Sequence, residues 1–298
     1  MKINEDKIID FLKTRFNPNN VKALIGDDAA VINHSKDKQV ISIDTLAEGV
    51  HFKKTSPPFL IGKKLAAISI SDIAGMGGIP ESLLISLALP RSVDFKWISS
   101  LYDGIDKIAS QFQVKVIGGD TVGSKTIVLS SVAIGKVKNA IFRNTAQIND
   151  FIYTTGSFGY SLQTDHHFNF TPRVKEINWL LKQIKINSLT DASDGLFRSI
   201  ELLSTQNNLG ATINLKNVTI RDKKALNSSS IKHALFDGED FELVFTTKKE
   251  IPLKIIAKFQ NQFNIPLKKI GVITNNKNIL CSLNGKPYQI KGKKFEHF

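Results

Sequence analysis

Acidic residues flanked by glycine or other small residues recur along the whole chain. They are Asp27 and Asp28 in IGDD, Asp44 in SIDT, Asp72 in ISDI, Asp120 in GGDT, Asp191 and Asp194 in DASDGL, and Glu239 and Asp240 in GEDFEL. Each stands at the edge of an apolar segment, where a strand or helix is predicted to begin or end. We expect the fold to bring many of these carboxylates together.

Carboxylates that lie together repel one another and are costly to remove from water unless cations compensate them. A chain with one Cys and six His offers mainly oxygen ligands, which favour a hard cation such as Mg²⁺. Magnesium held by carboxylates usually handles phosphates, so the pattern indicates nucleotide chemistry. Any single acid could instead cap a helix or close a turn, and Asp44-Thr45 or Asp191-Ala192-Ser193 would suit that role. For five or more acids in one chain, a shared metal site is the better explanation.

Three further motifs bear on this interpretation. The chain contains no GxxxxGK[ST] sequence, so a nucleotide site would not be of the P-loop kind. The stretch TTGSFGYS (154–161) would let backbone amides approach a phosphate, although a tight turn is the better interpretation. Asp165-His166-His167 resembles a metal motif, but no third nitrogen ligand is nearby, which favours a surface loop. The single Cys281 excludes an intramolecular disulfide and a cysteine-built metal site.

Strands and helices alternate in both halves of the chain and have to position the acids. In the first half, the segment 25–32 is predicted as a loop, 39–46, 81–90, 114–117 and 126–137 as strands, and 56–78 and 94–112 as helices. Gly118-Gly119 are predicted to form a tight turn that presents Asp120. In the second half, strands are predicted at 151–156, 211–215, 238–246 and 268–274, and helices at 176–184, after 191–194 and near 250–263.

This order of elements predicts a mixed α and β architecture, of α+β type, in two domains. The boundary is expected near residues 137–150, with domains at 1–137 and 138–298. Four apolar residues at helical spacing near the N-terminus, Ile8, Ile9, Leu12 and Phe16, predict an amphipathic helix and argue against a signal peptide. A cytoplasmic location is the simplest interpretation.

The chain is strongly basic: 40 Lys and Arg against 27 Asp and Glu give a net charge of +13 over 298 residues. Such a surface can bind nucleic acid or attract a phosphorylated substrate. The lysines are scattered rather than clustered with aromatic residues, which favours ordinary solvated side chains. We therefore expect no nucleic-acid partner and, without a long apolar run, no membrane partner.

Taken in order, six segments resemble the thiamine-monophosphate kinase family of the aminoimidazole ribonucleotide synthetase superfamily. They are IGDDAAVI, SIDTLAEGVHF, KKLAAISISDIAGMGGIPESLLISLALP, VIGGDT, DASDGL and GEDFELVFT. The resemblance runs from about Ile25 to the C-terminal FEHF. It implies an N-terminal α/β domain whose strands help to build a dimer barrel, and a C-terminal α/β domain. It also implies ATP as co-substrate, several Mg²⁺ ions in the cleft, and transfer of the γ-phosphoryl group to thiamine monophosphate.

The resemblance also implies roles for individual residues. The positions that match metal ligands are Asp28, Ser42, Ile43 (through its carbonyl), Asp44, Asp72, Asp120, Asp191 and Asp194. The positions that match nucleotide contacts are Gly119, Asp120, Arg143 and Ser193, and Asp44, Asp120 and Arg143 are the expected catalytic residues. The expected substrate contacts are His51, Glu239 and Phe295.

The sequence departs from the family after TTGSFGYS, where the chain is shorter than expected. The family's substrate-side arginine and proline pattern survives only as Pro172-Arg173. Two alternatives stay open at this point. One is an ATP-dependent ligase of the aminoimidazole ribonucleotide synthetase type, and the other is a basic nucleic-acid-binding protein.

Overall fold

A computed structural model describes residues 28–34, 37–223, 226–290 and 292. The predicted N-terminal helix and Phe295 lie outside the described residues. Within those residues the chain forms two sheets and the helices that cover them. The predicted mixed α and β architecture is confirmed. None of the helices described is long and apolar enough to cross a membrane.

The first sheet has five strands in the order β1-β2-β5-β3-β4. Its strands are β1 (Ala30–His34), β2 (Asp37–Ala47), β3 (Ile79–Leu89), β4 (Lys115–Gly123) and β5 (Val128–Val137). The β3–β4 pair is parallel and the other pairs are antiparallel. Strand β1 lies in a segment that the sequence predicts as a loop, because its apolar run is short and polar residues follow it.

The prediction of a tight turn at Gly118-Gly119 is wrong. Strand β4 continues through both glycines to Gly123, paired with β3 along its length. A Cβ at Gly119 would overlap the carbonyl oxygen of Ile85 on β3. The glycines therefore allow the two backbones to approach closely. Close approach, and not a turn, is the reason for glycine at this point of the strand.

One face of the first sheet is covered by two helices, α1 (Pro58–Gly75) and α2 (Phe95–Phe112). Helix α1 is buried on almost every side, as expected for the apolar and small residues of LAAISISDIAG. Helix α2 is amphipathic and begins at the cap Asp94, whose carboxylate accepts a hydrogen bond from the Trp97 amide at 2.8 Å. Helix α1 thus lies between the sheet, α2 and the second half of the chain.

The second sheet has seven strands in the order β12-β11-β8-β10-β6-β9-β7. Its strands are β6 (Phe151–Thr155), β7 (Ser188–Asp191), β8 (Gly210–Asn214), β9 (Leu243–Thr247), β10 (Leu267–Thr274), β11 (Ile279–Leu283) and β12 (Lys286–Tyr288). Its helices are α3 (His166–Asn169), α4 (Val174–Leu180), α5 (Leu196–Ser204), α6 (Ser228–Phe236) and α7 (Leu253–Phe263). Strands β7, β11 and β12 and helices α3 and α6 are not among the elements predicted from the sequence.

A shared hydrophobic core joins the two halves. It contains Leu65 and Ile73 of α1, together with Tyr153, Phe168 and Phe245 from the second half. A second core lies entirely within the second half, among α5, α6 and the second sheet. Each half holds one sheet, and the division into domains 1–137 and 138–298 stays a prediction.

The contact between α1 and α2 gives a first test of this packing. A Cβ at Gly104 would overlap the carbonyl oxygen of Phe59, and the neighbouring Gly62 approaches Leu101 in the same way. We expect Gly104→Ala to lower the free energy of unfolding by about 1–3 kcal/mol, because the helices would have to move apart. Urea denaturation followed by circular dichroism measures the change.

The control is Gly123→Ala, where a new methyl group meets no atom within 4 Å. It is expected to change the free energy of unfolding by less than about 0.5 kcal/mol. Equal stability of Gly104→Ala and Gly123→Ala would show that the α1–α2 contact is looser than described.

Candidate active site

Three carboxylates meet where α1 faces the second half of the chain. One oxygen from each of Asp28, Asp72 and Asp191 lies within 4.8 Å of the others. Asp28 precedes β1, Asp72 lies in the last turn of α1, and Asp191 ends β7. Parts of the chain that are far apart in sequence therefore build one acidic cluster.

Two further acids lie close to this cluster. Asp44, in β2, and Asp194, in the loop before α5, both act electrostatically on Asp28 or are acted on by it. Asp44 lies inside a strand, and the N-cap of α5 is Gly195, without a side-chain cap. Neither Asp44 nor Asp191 therefore caps a helix, which was an alternative role that the sequence allowed for both acids.

Hydroxyl groups orient the acids of the cluster. Ser42 donates a hydrogen bond to Oδ2 of Asp72, and Ser71 donates one of 2.5 Å to Oδ2 of Asp191. These hydroxyl groups come from β2 and α1, beside the acids themselves. They hold each carboxylate plane in place without adding charge.

Asp28 has a cation beside it. Arg143, from a short 3₁₀ turn that follows β5, forms an ion pair with Oδ1 of Asp28. The hydroxyl of Thr190 lies 3.2 Å from the same oxygen. One arginine compensates one carboxylate, which leaves the other acids of the cluster in excess.

The environment opposes ionisation of these acids. Burial is the main cause, and it raises the pKa of Asp28 and Asp44. Burial and the neighbouring carboxylates raise the pKa of Asp72 well above its ordinary value and that of Asp191 to about 8. A divalent cation would reverse this effect, because it stabilises the ionised carboxylates.

The donor set and the space both fit a hard cation. The buried Oδ2 of Asp44 has no hydrogen-bond partner among the described residues. Gly75 leaves space above the acids, since a Cβ there would lie 2.9 Å from Oδ2 of Asp28. A cavity of about 220 Å³ opens beside Asp72, Asp191 and Arg143. Carboxylate and hydroxyl oxygens are the ligands that Mg²⁺ prefers.

Two predicted site residues lie away from the cluster. Asp44 pairs across the sheet with Ser131, which pairs with Ile85, which pairs with Gly119. Three strand spacings of about 4.8 Å each therefore separate Asp44 from Gly119. Asp120, next to Gly119, is exposed on the edge strand β4, and its carboxylate accepts a hydrogen bond from the amide of Thr121 at 2.8 Å.

The side chain of Ile43 also faces away from the cluster. It neighbours Asp44 in β2, and 66% of its surface is exposed. A ligand role through its carbonyl group stays a prediction.

The predicted substrate contacts His51 and Glu239 are joined by a lysine. The ammonium of Lys64, on α1, forms an ion pair with Glu239 and lies 3.1 Å from the carbonyl oxygen of His51. The ring of His51 accepts a hydrogen bond at Nδ1 from the Ala47 amide, which leaves Nε2 as the donor of the neutral ring. Both predicted contacts thus lie on one side of α1.

The loop that carries Glu239 is bonded to the loop that carries Ser193. The Glu239 amide donates to the carbonyl of Ser193 at 2.5 Å, and the Phe241 amide donates to that of Ala192 at 2.9 Å. Ser193 is one of the predicted nucleotide contacts, and Glu239 is one of the predicted substrate contacts. The predicted substrate and nucleotide contacts therefore share one backbone ladder.

The glycine-rich stretch 154–161 binds carboxylates of the chain itself. The Gly159 amide donates to Asp240 at 3.0 Å, and the Tyr160 amide donates to Asp237 at 2.8 Å. These amides are therefore engaged, and the interpretation as a turn rather than a phosphate loop agrees with the structure.

The prediction of a surface loop at Asp165-His166-His167 is wrong. The two histidines begin helix α3, and His167 is buried. Nε2 of His166 lies 3.0 Å from the carbonyl oxygen of Asp240. The signal for this burial is the run of aromatic residues that follows, which packs into the core.

Arg173, the surviving member of the family's substrate-side pattern, is engaged inside the protein. Its Nε donates to Glu242 at 2.7 Å, and its side chain also pairs with Glu176. The guanidinium therefore fixes the segment before β9 rather than facing the acidic cluster.

Sequence reasoning missed Lys64, Thr190 and Arg198 as residues of the site. Arg198 lines the same cavity as Asp191, and Thr190 contacts Asp28. Lys64 could have been identified from the sequence, because it precedes Ser71 by seven residues and therefore lies on the same face of the buried helix. An ionisable residue on such a face indicates a specific partner.

Known proteins resemble this chain over its whole length. A family model described as AIR synthase related protein, N-terminal domain, matches residues 26–137. The thiamine-monophosphate kinase of Buchnera aphidicola subsp. Acyrthosiphon pisum is 35% identical over 328 residues, with 100% of both chains covered. That of Bacillus subtilis is 33% identical over 276 residues, with 84% of each chain covered. A solved structure of AaThiL complexed with AMPPCP and TMP is 25% identical, has a TM-score of 0.84, and is matched over 100% of this chain and 99% of that chain.

The acidic cluster predicts how a metal changes stability. Mg²⁺ should stabilise the wild-type protein by about 2–3 kcal/mol at roughly a hundredfold excess over its dissociation constant, because it binds only the folded cluster. Asp72→Asn should lose most of this gain, and without metal it should be at least as stable as the wild type. Thermal unfolding with EDTA and with Mg²⁺ measures both effects.

Asp103→Asn is the matched control, since Asp103 is exposed on α2. It should respond to Mg²⁺ as the wild type does. If Mg²⁺ stabilises Asp72→Asn as much as the wild type, the metal binds elsewhere.

Proposed function

The chain belongs to the thiamine-monophosphate kinase family, and we propose that its acidic cluster is where the γ-phosphoryl group of ATP passes to thiamine monophosphate. The products are thiamine diphosphate and ADP. The observation that carries this function is the cluster of Asp28, Asp72 and Asp191 beside Arg143. Two phosphate-bearing substrates can meet only where their charges are compensated, and this cluster can hold the cations that do so.

Mg²⁺ is the proposed metal. The residues proposed to hold it are Asp28, Ser42, Ile43, Asp44, Asp72, Asp120, Asp191 and Asp194. When bound, Mg²⁺ supplies charge compensation for the transferred phosphoryl group and both flanking phosphates. The unpartnered Oδ2 of Asp44 and the open space at Gly75 support this assignment.

The reaction needs no general base from the chain. The acceptor is a phosphate oxygen of thiamine monophosphate, which is largely ionised at neutral pH. The proposed role of Arg143 is to orient and neutralise the ATP phosphates, with Ser193 and Gly119 as further nucleotide contacts. The carboxylates are proposed to act as ligands, so transfer occurs in one in-line displacement without a phosphorylated enzyme.

The thiamine end of the substrate is proposed to lie near His51 and Glu239. The thiazolium ring is cationic, and the carboxylate of Glu239 would complement it. His51 would position the substrate through Nε2, since its Nδ1 is engaged with Ala47. Phe295, outside the described residues, stays a predicted substrate contact.

A second copy of the chain is proposed to complete the site. Asp120 and Gly119 lie on the edge strand β4, three strands away from Asp44 of the same chain. Strand β1 pairs with β2 only over residues 37–41, which leaves 42–47 of β2 without a neighbour on that side among the described residues. A homodimer in which β4 of one protomer lies beside this part of β2 of its partner would bring Asp120 close to the partner's acidic cluster. This arrangement reconciles the predicted ligand role of Asp120 with its position.

The surface of the first sheet supports such a dimer. The helices of the described residues cover one face, and apolar side chains on other parts of the sheet are exposed among these residues. They include Ile43, Val116, Ile117 and Val122. An exposed edge strand with apolar residues is suited to pairing with another chain.

Two sequence predictions are carried forward as they stand. A cytoplasmic location stays a prediction, as does the interpretation of the +13 net charge as solvated lysines. Neither enters the proposed mechanism.

The proposed function is tested by the release of ADP. We expect the purified protein with ATP and Mg²⁺ to release ADP in step with thiamine diphosphate when thiamine monophosphate is supplied. Asp44→Asn should lower the rate about a hundredfold or more while the protein stays folded, because it removes a proposed ligand of the metal. A coupled ADP assay and chromatography of the products measure both.

Thiamine and formylglycinamidine ribonucleotide are the comparison substrates, and Asp103→Asn is the control variant. ADP release with formylglycinamidine ribonucleotide alone would favour the ligase alternative. A folded Asp44→Asn variant with near-normal turnover would remove Asp44 from the site.

Mixed dimers test whether two protomers share the site. Asp44→Asn and Asp120→Asn are each expected to be inactive as pure proteins. Random mixing should restore about a quarter of wild-type activity, because half of the dimers then hold one intact site of two. Co-expression with two different affinity tags yields the mixture for assay.

The absence of any recovery in mixed dimers of the expected composition would show that Asp120 acts within its own chain or outside the site. A monomer by sedimentation at micromolar concentration would contradict the dimer itself.

A further inference from the structure

The ammonium of Lys64 is the most deeply buried positive charge near the proposed thiamine end of the site. The side chain of Lys64 is 0% exposed, and that of its partner Glu239 is 24% exposed. The ammonium also lies 3.1 Å from the carbonyl oxygen of His51 and 5.7 Å from the ring centre of Phe168. One lysine therefore contacts three separate segments of the chain.

A lysine is not needed here for packing alone. Ile61 and Leu65, which flank Lys64 on α1, are apolar and buried. A buried ion pair contributes little net stability compared with apolar side chains of the same size. Burial lowers the pKa of Lys64, and the Glu239 carboxylate opposes part of that effect. The presence of a lysine at position 64 is explained better by its ion pair with Glu239.

The backbone around Glu239 is fixed without Lys64. Glu239 has a positive φ of 65°, and its amide is bonded to the carbonyl of Ser193. The next residue, Asp240, accepts from Arg221 at 2.7 Å and from the Gly159 amide at 3.0 Å. Lys64 therefore controls the direction of the Glu239 carboxylate and not the course of the loop.

We propose that Lys64 is a positioning residue for the thiamine end of the substrate. Its ammonium holds Oε1 of Glu239 and the carbonyl of His51 together, so that Oε2 of Glu239 faces the cationic ring. This inference rests on the proposed function, because it takes thiamine monophosphate as the ligand. It adds a role for a residue that does not itself touch the substrate.

The proposal predicts a selective effect on one substrate. Without Lys64, the Glu239 carboxylate can turn away, and its contact with the thiazolium ring is lost. The nucleotide contacts at Arg143 and Ser193 are unaffected. KM for thiamine monophosphate should therefore rise while KM for ATP and kcat stay nearly constant, which is the signature of lost ground-state binding.

The test uses Lys64→Met, Glu239→Gln, the double variant and the control Lys63→Met. Lys63 is the neighbouring lysine, and its ammonium bonds to Asn169 at 2.8 Å. Lys64→Met should raise KM for thiamine monophosphate about tenfold and change KM for ATP less than about twofold. The double variant should match Glu239→Gln within about twofold, since Lys64 acts through Glu239. Lys63→Met should resemble the wild type.

A second acceptor separates positioning from a general structural role. In a neutral isostere of thiamine monophosphate, carbon replaces the thiazolium nitrogen. The wild type should have a lower KM for thiamine monophosphate than for the isostere, and Lys64→Met should have nearly equal values for both. A purely structural role would raise both values by the same factor.

The outcomes decide between the proposals. No thiamine diphosphate from the wild type would contradict the proposed function, whatever Lys64 does. An active wild type whose Lys64→Met variant keeps its KM and its preference for the cationic acceptor would contradict only the role of Lys64. If neither Lys64→Met nor Lys64→Gln folds, the lysine is a determinant of folding and the proposal is wrong.

Discussion

Carboxylates that are buried together repel one another, and the architecture around Asp28, Asp72 and Asp191 is arranged to hold them in spite of this repulsion. Helix α1 makes this possible because it is buried on nearly all sides and cannot move away from the acids. Ser71 and Ser42 fix the carboxylate planes, and Arg143 offsets one charge. The remaining excess of negative charge is the condition that a bound cation, and then two phosphates, would satisfy.

Helix α1 also sets the distance between the two ends of the proposed site. Asp72 belongs to the metal end and Lys64 to the thiamine end, and eight residues separate them. At 1.5 Å per residue, the two positions lie about 12 Å apart along the helix. The backbone hydrogen bonds between the loop of Ser193 and the loop of Glu239 also connect these two ends of the site. A substrate with an anionic group at one end and a cationic ring at the other matches these two ends of the proposed site.

Local signals in the sequence were sufficient for most helices and strands. Helix α2 begins one residue after the capping Asp94 and follows a clear apolar periodicity, so the predicted 94–112 nearly equals the observed range. The glycines of β4 misled the prediction, because a close backbone approach and a tight turn call for the same residue. Strand β1 was missed because its apolar run is short, and helix α3 was missed because its burial depends on the residues that pack against it.

For the site, the resemblance identified the acids that the structure brings together, among them Asp28, Asp72 and Asp191. The ion pair of Lys64 and Glu239 joins residues 175 positions apart, and no local pattern indicates it. Likewise, the hydrogen bonds from the Gly159 amide to Asp240 and from the Tyr160 amide to Asp237 depend on tertiary packing. The distance of Asp120 from the cluster follows from strand order, which a single sequence does not specify.

Divalent cations are proposed to occupy the acidic cluster during phosphoryl transfer. Crystals grown with Mn²⁺, a non-hydrolysable ATP analogue and thiamine monophosphate would test it through anomalous scattering at the manganese edge. Anomalous peaks are expected at about 2.1–2.2 Å from carboxylate oxygens of Asp28, Asp72 and Asp191. Peaks confined to the nucleotide phosphates, with none bound by these three acids, would contradict it.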